Sequence, residues 1–205
     1  MFKISKRAKI IATVSLVLVV VLFFVASNKK DNVEVSNLQV ITQSSDSVIN
    51  PENPKEIVGF SDYYFIGRVE EVVNTEYRNV VTIETEDGDK EVADPYTHYK
   101  ISVIKNIKGE LPLDKDIQLT KSGGMLKDES AVVLYEDDIL PEEGKVYVIA
   151  ANIQKDGEIL ASGPNTVQEV NINTMSSQED EAYKIYEYNY ENEIPYERQR
   201  FEPVY

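Results

Sequence analysis

The chain has 205 residues, a formal net charge of −15 and no cysteine. Its length suits one ordinary domain with extensions, and the lack of cysteine excludes disulfide bridges, thiolate metal ligands, a cysteine nucleophile and a lipidated cysteine. Residues 1–27 hold four basic and no acidic side chains, so 28–205 contains 17 Lys and Arg residues against all 36 Asp and Glu residues, a balance of −19. Such a domain repels nucleic acid, which is therefore not expected as a partner, and favours cationic partners.

An apolar run over residues 10–26 is interrupted only by Thr13 and Ser15. A helix of this length spans about 25 Å, close to what a bilayer core requires, and it would have no polar face. Because basic residues precede the run, we expect 1–27 to form a cytoplasmic tip and a single-pass transmembrane anchor, with the lipid bilayer as the partner of residues 10–26. The alternative is a signal peptide cleaved near Val25-Ala26-Ser27, which also places the rest outside the cytoplasm.

Residues 28–53 are rich in Asn, Ser, Asp and Gln and end in two proline turns, which predicts a polar stalk. Valine and leucine residues within 33–40 give the stalk some strand character, so part of it is expected to pack on the domain. A single helical turn is expected over 55–60.

From residue 62 the pattern becomes typical of β-strands. The segment 63–73 is aromatic and β-branched, and 80–85 alternates before a hairpin turn at Glu86-Asp87-Gly88-Asp89. We expect Asp94-Pro95 to interrupt the chain before an alternating strand over 96–103. That strand has Tyr99, Ile101 and Val103 on one face and His98, Lys100 and Ser102 on the other.

Further short strands follow, separated by turns that contain glycine or proline. The segment 146–151 is apolar on both faces, which predicts a central strand, and 155–158 carries a second Asp-Gly hairpin signal. Other strands are expected near 117–119, 131–135 and 167–172. Because no long helical period lies among these strands, the pattern favours a small antiparallel barrel or sandwich over 54–172.

The last segment, 173–205, is acidic and rich in tyrosine. Tyr183, Tyr186 and Tyr190 are spaced as on one face of a helix that ends before Pro195. We expect this C-terminal helix to dock its tyrosines on the β domain, the alternative being a separate recognition stripe.

Three segments carry a resemblance to a known family: 65–69, the alternating strand 99–109 that ends in Lys-Gly, and the turn and strand 140–149. Together they resemble the OB-like barrel of netrin/TIMP-type modules and their bacterial extracellular relatives. The chain also resembles membrane-anchored cell-surface proteins of Bacillus-like bacteria. The resemblance implies a mainly β protein with a small OB-like antiparallel β-barrel, an N-terminal transmembrane helix and a C-terminal helix, held on the bacterial cell membrane with its domain extracellular. Inhibition of metalloproteases is not implied, because that activity uses an N-terminal cysteine.

The sequence assigns no catalytic, cofactor-binding or metal-binding residue. His98 is the only histidine and lies on the polar face of its strand, so a surface histidine is expected rather than a catalytic base or zinc ligand. Two acidic runs at turns leave two alternatives open, a carboxylate-dependent cell-envelope hydrolase and a calcium-dependent adhesion or sensing domain. These runs are Glu86/Asp87/Asp89 and Glu136/Asp137/Asp138.

The expected function is a membrane-tethered, extracytoplasmic, non-enzymatic binding or accessory module of the cell envelope. OB-like barrels bind ligands on a strand face or in loops, and the partner expected here is an unidentified envelope protein or ligand. The first candidates for a contact surface are tyrosines, namely Tyr63, Tyr64, Tyr96 and Tyr99.

Overall fold

A computed structural model describes residues 39–44, 46–85, 88–170 and 179–202. The expected anchor, 10–26, lies outside these residues. Among the helices of the described ranges, none has the length and apolar character needed to cross a bilayer.

The described residues are mainly β, as the sequence predicts, with two helices. In chain order the elements are β1 (Gln39–Gln43), α1 (Pro54–Phe60), β2 (Tyr63–Thr85), β3 (Gly88–Lys108), β4 (Ile117–Ser122), β5 (Gly124–Met125), β6 (Ala131–Tyr135), β7 (Val146–Ile153), β8 (Ile159–Ala161), β9 (Val167–Glu169) and α2 (Glu179–Glu191).

Five strands form a closed ring of hydrogen-bonded pairs. Their order is β2-β3-β4-β8-β7, and β7 pairs back to β2 through a register that runs from Tyr63 opposite Ala151 to Arg68 opposite Val146. Strand β9 pairs with β7 outside the ring. The expected antiparallel arrangement holds for most pairs, but β4 and β8 run parallel.

Strand β7 and the first part of β2, residues 63–67, are buried on both faces because each contributes to two cores. One core, inside the ring, includes Phe65, Tyr99 and Ile149. The other lies between these strands and the helices and includes Tyr64 and Val148. The alternation of side chains along a strand explains the division, and β7 is the central strand that its two apolar faces predicted.

Both helices cover the outer face of β2 and β7. Helix α1 begins after Asn53, whose side chain accepts a hydrogen bond from the Lys55 N–H at 3.1 Å, and Pro54 occupies its first turn. The expected C-terminal helix is present as α2. Tyr183 and Tyr186 pack on the second core, whereas Tyr190 is exposed.

A second, smaller sheet has the order β1-β6-β5, with β1 parallel to β6. Strand β1 falls within the predicted stalk, and its residues are exposed although its backbone is paired. Residues 123–137 connect β4 to the turn before β7 and contain β5 and β6. We call this connecting segment the excursion.

The expected interruption at Asp94-Pro95 is wrong, because β3 continues through both residues to Lys108. Pro95 lies opposite Tyr77 of β2, and pairing of β3 with β4 begins only at Thr97. Proline is tolerated at such a strand edge because no neighbour there needs its missing N–H. Its carbonyl still accepts a hydrogen bond from the Gly123 N–H at 2.9 Å.

Replacement of Gly59 by alanine should loosen the C-terminal segment. A Cβ at Gly59 would lie 1.8 Å from the carbonyl oxygen of Ile194, a backbone atom in a segment whose own N–H bonds to the Lys55 carbonyl at 3.0 Å. The added Cβ would force the backbone at Ile194 to shift, which should lower the free energy of unfolding by about 1–3 kcal/mol, measured by urea titration of the full chain. Ile194→Ala, which trims a side chain that is 47% exposed, should leave stability nearly unchanged. Equal effects of the two substitutions would contradict the packing described.

Candidate functional site

The hairpin formed by β2 and β3 extends well beyond the ring. We call its outer part, residues 72–85 and 88–93, the hairpin arm. Within the described ranges, residues 72–78 pair with 94–99 of β3, residues 81–85 pair with 88–92, and no third strand pairs with the arm. Large apolar side chains are exposed along the arm: Val72, Val73, Val80, Val81, Ile83 and Val92. An isolated two-stranded ribbon with exposed apolar side chains is marginally stable in water, which is typical of a surface that is covered by another molecule.

A groove of about 510 Å³ separates the hairpin arm from the small sheet. We call it the hairpin groove. Its volume lies within the range of about 300–1,000 Å³ that is usual for ligand sites. One wall is the edge of β3 and its neighbours on the arm, and the other is formed by β1, β6 and the turn after β5. Its apolar lining includes Ile41, Val80, Val92, Leu126 and Val133, and its charged lining includes Lys90, Glu91, Asp94, Lys127 and Asp128.

A weak ion pair links the two walls at the rim. The Lys127 ammonium lies 3.5 Å from a carboxylate oxygen of Glu91, and both side chains are mostly exposed. Because an exposed pair of this kind contributes at most about 1 kcal/mol, it leaves the groove open to a ligand.

The hairpin groove deepens into a small cavity of about 60 Å³. Gln43, Asp94 and Val133 line both spaces. Ser122 lines the cavity, and within the described residues its buried hydroxyl has no hydrogen-bond partner. Buried hydroxyls are normally paired, so Ser122 is an unsatisfied polar group beside a cavity that Gln43, Asp94 and Tyr96 also line.

A ring of five polar side chains, which come from β2, β3, β4 and the residue before β8, lies beside this cavity. We call it the polar ring. The Arg78 guanidinium binds Glu158 through two hydrogen bonds of 2.9 and 2.6 Å and binds Glu76 at 2.7 Å. The Thr120 hydroxyl donates to Glu158 at 2.6 Å, and the His98 ring lies 3.0 Å from both Thr120 and Glu76. Each member of the polar ring therefore contacts two others.

The His98 ring bridges two members of the polar ring. Its Nδ1 lies 3.0 Å from the Thr120 hydroxyl, and its Nε2 lies 3.0 Å from the Glu76 carboxylate. His98 was expected to be a surface histidine; its side chain is 26% exposed and is held on two sides by these contacts.

The carboxylates of the polar ring are held ionised. Burial raises the pKa of Glu158, but hydrogen bonds from Arg78 and Thr120 outweigh it, and the net pKa is lower than usual. Hydrogen bonds from Arg78 and His98 likewise lower the pKa of Glu76. Both carboxylates are already hydrogen-bonded to other members of the polar ring, so the polar ring acts as a structural scaffold.

The polar ring positions one aromatic residue of the candidate site. The Arg78 guanidinium lies 4.4 Å from the centre of the Tyr96 ring, an attractive cation–π contact. Tyr96 lines the small cavity on one side and an open recess of about 670 Å³ on the other. Through Arg78, the polar ring thereby holds the Tyr96 side chain in place beside the small cavity.

The tyrosines expected to form a contact surface are mostly in the core. Tyr63, Tyr64 and Tyr99 are 5%, 6% and 1% exposed, so this expectation is wrong for them. Their side chains on β2 and β3 point into one of the two cores. Of the four tyrosines, Tyr96 lines a surface cavity.

The two acidic runs do not converge within the described residues. Glu86 and Asp87 lie outside them, and Asp137 is exposed in a turn at φ 57°. Asp138 is buried against Lys121. In the described ranges, no group of three or more histidine, aspartate or glutamate side chains is placed to hold a metal ion.

Comparison with models of known protein families finds no match, and no curated protein matches the sequence significantly.

Glu158→Gln should weaken the acid sensitivity of folding. Because the folded-state pKa of Glu158 is lowered, its ionised form stabilises the fold above its unfolded pKa of about 4.3. That stabilisation is lost as the pH falls through the folded pKa. We expect the variant to be less stable than the wild type by about 1–3 kcal/mol at pH 7. Below a pH of about 4.3, its free energy of unfolding should fall less than that of the wild type, as measured by urea titration across pH.

Glu84→Gln is the matched control, because Glu84 lies on the exposed hairpin arm, away from the polar ring. It should keep the wild-type pH profile. A profile for Glu158→Gln that parallels the wild type at every pH would contradict the role of Glu158 in the polar ring.

Proposed function

We propose that this protein is a membrane-tethered, extracytoplasmic, non-enzymatic binding module of the cell envelope. Its hairpin groove would receive an extended, basic polypeptide segment that carries apolar side chains. The observation that carries the proposal is the free hairpin arm, which exposes apolar side chains and an unpaired strand edge beside the groove.

An OB-like barrel is the finer form of the fold that we propose. The closed pairing of β2, β3, β4, β8 and β7, with one parallel pair between β4 and β8, supports it. Barrels of this type bind ligands on a strand face and in the adjoining loops. The hairpin groove lies against β2 and β3, and the polar ring spans β2, β3, β4 and the turn before β8.

Backbone geometry favours an extended ligand. Between Gly88 and Ala93, the edge of β3 that faces the groove has no strand partner in the described part of the chain. Strand β5 pairs with β6 on one edge only, apart from a bridge between Tyr96 and Gly123 at the deep end. A segment added to such an edge gains main-chain hydrogen bonds, and alternate side chains enter the groove.

Charge favours a basic ligand. The excess of 36 acidic over 17 basic side chains in 28–205 creates a negative field that attracts cationic segments and repels acidic ones. Apolar side chains of the ligand would contact the lining around Val80, Val92 and Leu126.

The acidic side chains of the described fold support binding rather than catalysis. The carboxylates of the polar ring are engaged by Arg78, and the one fully buried carboxylate, Asp138, is covered and paired with Lys121. The proposed anchor, 10–26, would hold the groove at the outer face of the membrane, close to other envelope proteins.

Val92→Lys should weaken peptide binding to the full-length protein in lipid nanodiscs. The probe is a labelled peptide of alternating Lys and Val, compared with one of alternating Glu and Val by fluorescence anisotropy. We expect the Lys-Val peptide to bind more tightly, increasingly so at low salt. A charge introduced into the apolar lining should raise Kd at least about tenfold, equivalent to about 1.4 kcal/mol.

Val73→Lys is the matched control, since Val73 is an exposed arm valine outside the groove lining. It should bind like the wild type. Equal losses in both variants, or equal affinity for the Glu-Val peptide, would refute the groove as a site for basic segments.

A further inference from the structure

Lys121 and Asp138 form a fully enclosed pair at the base of the small sheet. Each side chain is 0% exposed, and the Lys121 Nζ donates directly to Oδ2 of Asp138. The same nitrogen lies 3.3 Å from the carbonyl oxygen of Ser122. The second carboxylate oxygen, Oδ1, is buried and lacks a hydrogen-bond partner among the described residues. An amine and a carboxyl group are thus in contact and shielded from bulk water.

The backbone holds both residues in place. Lys121 lies opposite Thr97 of β3 and opposite Ala161 of β8, so its strand is paired on both sides. Asp138 lies in a turn in which its N–H donates to the Tyr135 carbonyl at 3.2 Å. The two side chains therefore approach each other from fixed positions, which removes most of the entropy cost of bringing reactive groups together.

The protein environment favours the uncharged form of both groups. Burial lowers the pKa of Lys121 and raises the pKa of Asp138, and in both cases it outweighs the attraction between the partners. Transfer of one proton from the ammonium to the carboxylate gives a neutral amine beside a neutral carboxylic acid. These are the protonation states that amide formation requires.

We propose that Lys121 and Asp138 condense into an intramolecular amide bond. The Nζ lone pair attacks Cγ of the Asp138 carboxylic acid and forms a tetrahedral intermediate. A proton passes from Nζ to a hydroxyl oxygen, the bond from Cγ to that oxygen breaks, and one water molecule leaves. The products are a secondary amide and water, so the step needs no oxidant, reductant or co-reactant. Exclusion of bulk water from the site opposes hydrolysis of the bond.

The product suits the site better than the ion pair does. The amide keeps one N–H on the former Nζ, which continues to face the Ser122 carbonyl. The unpaired carboxylate oxygen becomes a neutral amide oxygen, which costs less to bury than a charged one. The amide also ties together the two ends of the excursion that carries β5 and β6, across 17 positions of sequence. In a chain without cysteine, this bond would fix one wall of the hairpin groove.

Peptide mapping of the natively folded full-length protein tests the bond directly, whatever the groove binds. Trypsin should fail to cut after Lys121, because its side chain is acylated. Peptides 116–127 and 128–145 should be recovered as one branched species, lighter than their sum by about 18 Da, the mass of one water. Recovery of free peptides 116–121 and 122–127 as the main products would overturn the proposal.

Intact mass of variants supplies the control. The wild type should be lighter than its calculated mass by about 18 Da, and Lys121→Met should have its full calculated mass. Lys145→Met removes a partly exposed lysine that pairs with Glu142 and Glu169, and it should keep the deficit. A deficit that persists in Lys121→Met would place the modification elsewhere and overturn the assignment. If Lys121→Met fails to fold, the wild-type peptide map decides alone.

Discussion

The pairing of β2 with β7 is the constraint on which the rest of the fold depends. It closes the ring of five strands and makes β2 and β7 central, so their alternating side chains must fill one core inside the ring and another beneath the helices. The pairing ends at Arg68 opposite Val146. Val69 still forms backbone hydrogen bonds with Gly144 and Lys145, and beyond it β3 is the only strand of the described residues that pairs with β2, so the hairpin continues as an arm. The groove is thus a consequence of where the ring closes.

Two polar clusters fix the surroundings of the groove. The polar ring locks the outward face of β2 and β3 to the turn before β8 and positions Tyr96. The Lys121–Asp138 pair ties the excursion of the small sheet to β4. Buried ionic groups contribute little net stability compared with apolar contacts, but losing one partner is costly, so such clusters specify a single arrangement. Here they hold the deep end and one wall of the groove.

The sequence predicted the features that depend on local pattern. Alternation identified the buried face of 96–103, apolar residues on both faces identified β7 as central, and Asp-Gly turns marked two hairpins. Features that depend on distant partners were missed. Nothing near Arg78 indicates Glu158, 80 positions away, and nothing near Lys121 indicates Asp138. Tyr99 was misjudged as a contact residue because hydroxyl-bearing aromatics suit either a core or a surface.

Hydrogen exchange of the full-length protein without added ligand tests the central claim, that one hairpin is divided into a ring half and a free arm. We expect slow exchange for the segment 63–69 and for β7. We expect exchange faster by orders of magnitude for the outer end of the arm, 79–85 and 88–93, which lies beyond the polar ring and has few buried contacts to oppose local opening. Equal protection along the whole hairpin would contradict the account, since it would mean that the arm is as firmly packed as the ring.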